Sequence, residues 1–431
     1  MKPRPRACLP SFVLLAVGLM LPRLGAAQEP VPREPDTPAA ATPAGPEETP
    51  NSPEEKLKQY PAPTAEEAER FAAALGEVIY IPDLKLWEGV IDWDAFMELS
   101  FAGIEIADRS RAGFEEGFVG QMKSRGGILG QVHQALGEMG TYELVHIHEV
   151  DGRPRALFRM LTNEGALNYH DYILIRDEQG RPRAVDFYVH LSGENFSTTV
   201  RRMIRQLAAD EQRTFLDRLT GTEQGFLKNV QQLQEMTQRV QQGDAAGALK
   251  VYQTMSDEQQ KDKLALIQRY AAAMLLPDEE KSRKELEATY EMFRKEFPAD
   301  VCLDFMAIDY HVARKEYEQT LQAVDRLDKA IGGDGYLHEL RGNIYVQAGQ
   351  LDKAAELFEK AIAALPQRQS GYFCLIGLAL EQKDYETMLA GLKRLDQAVE
   401  MQWQDLTEVP EYAGFVASPY HKEWVEYLKS R

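Results

Sequence analysis

The chain has 431 residues, with 49 Lys and Arg against 68 Asp and Glu, a formal charge of −19 at pH 7. A surface of that sign repels nucleic acid and anionic lipid headgroups and favours basic partners or cations. Three cysteines in a chain of this length exclude a scaffold built on disulfides.

Lys2, Arg4 and Arg6 form a positive opening, residues 12–21 an apolar core, and Gly25-Ala26-Ala27 a small-residue exit. That is the pattern of an export signal over residues 1–27, and it predicts a protein of the periplasm or extracellular space. Pro22 and Arg23 interrupt the apolar run, although retention as an uncleaved anchor stays open. Cys8 precedes the apolar core, so it is not the lipid-bearing cysteine of a bacterial lipoprotein. No later stretch approaches the ~18 unbroken apolar residues of a membrane span. Cleavage would leave 45 basic against 68 acidic side chains, a balance of −23. Residues 28–63 contain ten prolines in 36 positions, mixed with Ala, Glu and Thr, and are expected to form a disordered acidic spacer.

Residues 64–205 open with helical patterns at 65–75, 93–99 and 118–136. Four strand patterns follow: "TYELVHIHEV", "RALFRMLT", "ALNYHDYILIRD" and "RAVDFYVHLS", joined by "DGRP", "NEG" and "EQGRP". Helices followed by an antiparallel sheet predict an α+β domain. The element order resembles the nuclear transport factor 2-like cone, in which helices pack into the concave face of a bent sheet.

A last hairpin centred near Gly180 sets His170 opposite His190 and Tyr172 opposite Tyr188. His146, Arg159, His170 and His190 then share one face, with Asp186, Tyr172 and Tyr188 nearby. The other face carries Val145, Ile147, Phe158, Met160, Ile173, Ile175, Val185, Phe187 and Val189. The apolar face is expected to cover the helices, and the His/Tyr/Arg face to meet solvent, the helical repeats or a second copy in a homodimer. His146, His170 and His190 are candidate zinc ligands, against the reading of a solvated or interface stripe. Asp171 interrupts the apolar face beside Tyr169. Resemblance to the isomerases and dehydratases of the cone family makes these two the candidate catalytic pair, with Asp171 as a base raised by desolvation. The alternative is an Asp bonded to a helix end or sitting at the rim of the sheet.

Residues 206–400 are helical, with a period. "KEYEQTLQAVDRL" begins at Lys315, "GQLDKAAELFEKA" at Gly349 and "KDYETMLAGLKRL" at Lys383, each 34 residues apart. Pro298 and Pro366 lie 68 apart, twice that interval. This is the spacing of paired helices in an α-solenoid, and about five hairpins are expected between 224 and 400. The best copy, with Gly342, Tyr345, Gly349, Ala354, Phe358, Ala361 and Pro366, resembles a tetratricopeptide repeat. His338 and Arg341 depart from that pattern. The resemblance implies a groove lined by the first helix of each pair, here Phe305, Asp309, Tyr336, Glu339, Asn343, Phe373 and Glu381. Members of the family that clamp chaperone carboxylates use Lys and Arg beside Asn. Tyr336 and Glu339 hold those places here, so a basic or apolar peptide is the expected ligand. Residues 401–431, with Phe415, Tyr420, Trp424 and Tyr427, are expected to cap the last repeat.

The sequence contains no glycine-rich phosphate loop, HExxH, GxSxG or CxxC, and nothing in it asks for a cofactor. "NFS" at Asn195 fits a glycosylation acceptor. Three functions stay open. The first is a non-catalytic exported adaptor that docks a protein or peptide on the solenoid. The second is an enzyme working in the cone through Asp171 and Tyr169, and the third a self-assembling envelope component.

Overall fold

The computed structural model describes residues 52–124, 126–163, 165–212, 223–399 and 401–431. The expected export signal and residues 28–51 of the expected spacer lie outside them.

Residues 52–63 are ordered, contrary to the expected spacer. Helix α1 (Pro53–Leu57) starts on a capping box in which Ser52 and Glu55 each bond the other's backbone N–H. Arg153 then donates to the carbonyls of Leu57 at 3.1 Å and Tyr60 at 2.9 Å, fixing the turn that follows. A guanidinium distant in sequence satisfies this backbone, which composition alone could not reveal.

Next come α2 (Ala65–Val78), α3 (Leu84–Glu88), α4 (Trp93–Phe101), α5 (Asp108–Ser124) and α6 (Gly127–Leu136). The helix expected over 118–136 is two helices. Gly126 and Gly127 break it with φ of 74° and 60°, and a Cβ on Gly126 would lie 2.5 Å from the Trp87 ring.

Strands β1 (Thr141–Val150), β2 (Arg153–Leu161), β3 (Leu167–Arg176), β4 (Pro182–Val189) and β5 (Glu194–Asn195) form an antiparallel meander in sequence order. Two irregularities set its register. Between β1 and β2 the ladder skips Val145, and between β3 and β4 it skips Val185. The β3–β4 loop closes on Asp177, whose carboxylate accepts from the Gln179 and Arg181 backbones at 3.0 and 2.8 Å. His170 therefore lies opposite Val189, not His190, and Tyr172 opposite Phe187, not Tyr188.

One face gathers Tyr142, Phe158, His170, Tyr172 and Phe187; the other gathers His146, His148, Arg155, Arg159, Tyr169, Asp171 and Tyr188. Both faces are covered. Helix α2 packs against β1, β2 and β4, with Phe71 edge-on to Tyr172. Ala95 and Leu99 of α4, with Leu57 and Tyr60, cover Ile173, Ile175 and Val185. The expectation of one apolar face and one solvated face is thus corrected: β3 is buried from Leu167 to Ile175. A strand buried on both sides reads as a continuous run, and its alternation says little.

Helix α7 (Phe196–Gln212) follows β5. Its first turn is held by Asp186, whose carboxylate accepts from the Ser197 N–H at 3.1 Å and the Ser197 hydroxyl at 2.5 Å. The helices that follow are α8 (Glu223–Gln241), α9 (Ala245–Gln253), α10 (Asp257–Gln260), α11 (Lys263–Met274) and α12 (Glu279–Glu296). The chain divides into two compact units at Leu303/Asp304. The helices up to α12 fall in the same unit as the sheet. Lys263 supplies part of the reason: its ammonium bonds the Gly193 carbonyl at 3.2 Å and pairs with Asp300.

The second unit contains α13 (Cys302–Ala313, from its third residue), α14 (Tyr317–Ile331), α15 (Tyr336–Gln347), α16 (Leu351–Ala364), α17 (Gln369–Glu381) and α18 (Tyr385–Ala398). From α14 to α18 each helix packs on the next. Together with α8/α9 and α11/α12, five successive helix pairs occur among the described residues, as the period predicts. Lys315, Gly349 and Lys383, 34 apart, all take left-handed φ, at 60°, 71° and 58°. After each, an N–H reaches back five residues: Glu316 to His311, Gln350 to Tyr345 and Asp384 to Ala379, all at 2.9 Å. This is the Schellman closure of a helix, repeated three times.

The array ends in α19 (Ala413–Val416) and α20 (Pro419–Ser430), which bury Phe415 and Trp424 against α18. Asp396 anchors this cap. Its carboxylate accepts from Trp403 Nε1 at 2.7 Å and Tyr427 Oη at 2.9 Å and pairs with Arg431.

Candidate functional sites on the sheet and the helical array

His170, a proposed zinc ligand, is locked into the packed interior. The Asn168 Oδ1 atom accepts from the backbones of Tyr169 and Leu191 at 2.8 and 3.0 Å, which turns its Nδ2 towards His170 Nε2 at 3.0 Å. Nε2 is therefore the acceptor, and Nδ1–H donates to Tyr142 Oη at 2.9 Å. The Tyr142 and Tyr172 hydroxyls share a further hydrogen bond at 2.7 Å. Burial, helped by the nearby His190 ring, lowers the His170 pKa to about 3.

The other face holds Asp171 at its centre. Asp171 lies on the same face as Ile173, and the register puts Phe158, which was expected beside it, on the opposite face. Its Oδ1 meets His148 Nε2 at 2.9 Å and its Oδ2 meets Arg155 at 3.5 Å. Tyr169 beside it is fully buried. His148 and Arg155, which sequence reasoning missed, hold this carboxylate; their alternation on β1 and β2 was the available signal.

His190 is buried with Nδ1 unpartnered, its ring 4.9 Å from that of Tyr188 and 6.0 Å from that of Tyr169. Burial lowers its pKa to about 4. His146 stands edge-on to His148 at 5.4 Å, and His170 points away on the opposite face. Among the described residues no group of three or more His, Cys, Asp or Glu is arranged to hold a metal, so the set His146, His170 and His190 does not converge. Asp186 is raised by burial to about 6, with its bonds to Ser197 and Phe187 opposing that shift. Ser197 of the "NFS" triplet is 2% exposed and engaged by Asp186, so its hydroxyl serves the fold.

On the helical array, Phe305, Asp309, Tyr336 and Glu339 are buried, Asn343 and Phe373 half-buried, and Glu381 exposed. Glu339 accepts from the Ser370 hydroxyl at 2.6 Å and lies 3.7 Å from Arg368, whose guanidinium sits 5.0 Å over the Tyr336 ring. Arg368 therefore offsets part of the acidity read from sequence. Its own signal was weak, because it precedes α17 instead of lying on a first helix. Asn343 Oδ1 faces the Cys374 thiol at 3.9 Å.

No family model matches the chain, and no curated protein matches it. Among solved structures, MamA 41-end from Desulfovibrio magneticus RS-1 is 18% identical, over 40% of this chain and 94% of its own, at a TM-score of 0.34. MamA AMB-1 C2221 is 13% identical, over 40% of this chain and 99% of its own, at a TM-score of 0.31. Likenesses this distant assign neither an activity nor a partner.

Proposed function

We propose that the protein is a non-catalytic scaffold that docks a protein or peptide partner on its helical array. The observation carrying this reading is the regular succession of closed helix pairs, α14 to α18, an architecture whose repeated first helices form a continuous contact surface. Asn343, Phe373 and Glu381 are the exposed or half-buried members of that surface. A half-buried aromatic beside a carboxylate suits a peptide with apolar anchors and basic flanks. The adaptor reading is preferred to an enzyme because Asp171 is held by His148 and Arg155 on a face apart from the aromatic layer.

The expected export of the chain, based on residues 1–27, is part of the same proposal. N-terminal sequencing of protein recovered from separated cell fractions tests it; a cytoplasmic chain starting at Met1 counts against export.

The docking test compares full-length wild type with Phe373→Ala and Glu381→Lys in affinity capture from native extract. Partners recovered by wild type should weaken by about ten-fold or more, equivalent to ~1.4 kcal/mol, in either variant. An unaltered set of partners in both variants refutes the surface. Asp171→Asn should leave capture unchanged.

A further inference from the structure

We propose that the sheet unit carries a second docking surface, beside the outer edge of β1, for an extended partner segment with apolar side chains and basic flanks. It lies on different residues from the helical array and does not depend on the reading given for that array.

Six large apolar side chains are strongly exposed among the described residues: Tyr80, Ile81, Leu84, Leu86, Met139 and Leu144, between 40% and 54%. They come from only two segments, and the fold joins those segments. Tyr142 donates its backbone N–H to Tyr80 Oη at 2.6 Å, which sets the α2–α3 corner against the start of β1. His133 Nδ1 meets the Ile79 carbonyl at 2.9 Å, and Trp87 Nε1 donates to the Val78 carbonyl at 2.9 Å, so the corner is held from both sides. Single exposed apolar residues are ordinary, whereas two exposed apolar segments joined through the Tyr80–Tyr142 bond mark an interaction surface.

The patch adjoins an edge. β1 ends the strand order, with β2 on one side only. Tyr80 already satisfies one outward N–H of β1, at Tyr142, and Leu144 two residues on repeats that outward direction. An extended segment laid along this edge would continue the ladder while placing alternate side chains on the apolar corner.

Charge selects the occupant. Exposed Glu77, Asp83, Glu88 and Glu138 flank the apolar residues in sequence, against the exposed Lys85. Basic flanks are attracted there, whereas an anionic membrane, or a second copy of a chain of charge −19, is opposed.

The test titrates full-length protein into a fluorescent nine-residue peptide of alternating Leu and Lys, and into its Leu/Glu counterpart, and reads anisotropy. The Leu/Lys peptide should bind saturably and more weakly at high salt, and the double variant Leu84→Ser/Leu86→Ser should reduce its affinity at least about ten-fold. Because the array suits the same peptide class, the double variant is compared with its parent in a Phe373→Ala background, which separates this surface from the array. Equal binding by the double variant and its parent in that background, or preference for the Leu/Glu peptide, overturns the proposal. So does a concentration-dependent dimer, or co-sedimentation with anionic vesicles, that the double variant abolishes. Because both leucines are exposed, a folding failure is not anticipated, and an unchanged circular-dichroism melt verifies that.

Discussion

His170 and His190 are neutral bases kept from water, and they make stability depend on pH. In the folded chain they take up protons only near about 3 and 4, whereas in the unfolded chain they do so near 6.5. Below pH 6.5 the unfolded state binds more protons, so stability falls as pH falls. At pH 5 each histidine removes about 2 kcal/mol. Asp186 acts in the opposite sense, since its raised carboxyl at about 6 protonates in the fold first. It returns about 1 kcal/mol at pH 5. Urea unfolding should therefore show a net loss of about 3 kcal/mol between pH 7.5 and pH 5, and His170→Gln should cut the loss by about 2. A stability independent of pH over that interval disproves the account. The residue types in this layer were legible in sequence, but their side of the sheet was not.

At the scale of single elements, the three matched turns make a graded prediction. Lys315 and Lys383 hold a conformation that Gly349 adopts at no steric cost. Replacing either lysine by Gly should stabilise the array by about 0.5–1 kcal/mol, the relief exceeding the extra entropy of the unfolded chain. Gly349→Lys should cost a similar amount. Gly342 is constrained differently: a Cβ there would sit 2.7 Å from Phe358 Cδ1. Gly342→Ala should destabilise by about 1–3 kcal/mol, with partial recovery when Phe358 is also made Leu. In the cap, Asp396→Ala would strand Trp403 Nε1, Tyr427 Oη and Arg431 and should cost about 3 kcal/mol. Thermal or denaturant unfolding measures all of these. The turns were readable because a left-handed residue and its following helix are local events. The helix break at Gly126 was equally local but hidden within an apolar run.

For the whole molecule, two compact units meet in sequence inside α13, not after the sheet domain. The α8–α12 helices share the periodic look of the later pairs, yet Lys263 and Asp300 bind them to the Gly193 loop. Paired helices alone thus do not mark where an array begins. No helix among the described residues is long and apolar enough to cross a membrane.

The sequence by itself determined the helix pairs, their interval, their three matched turns, the four long strands and the terminal cap. Each follows from contacts made within a few residues or from a repeat of one local unit. Only the tertiary structure decided which side of the sheet holds His170 and Asp171, where the units divide, and that Arg368 sits over Tyr336. The side of His170 and Asp171 follows from the β2–β3 register, and the other two outcomes from partners remote in the chain. A shift of one position reverses every side chain of a strand without changing its composition.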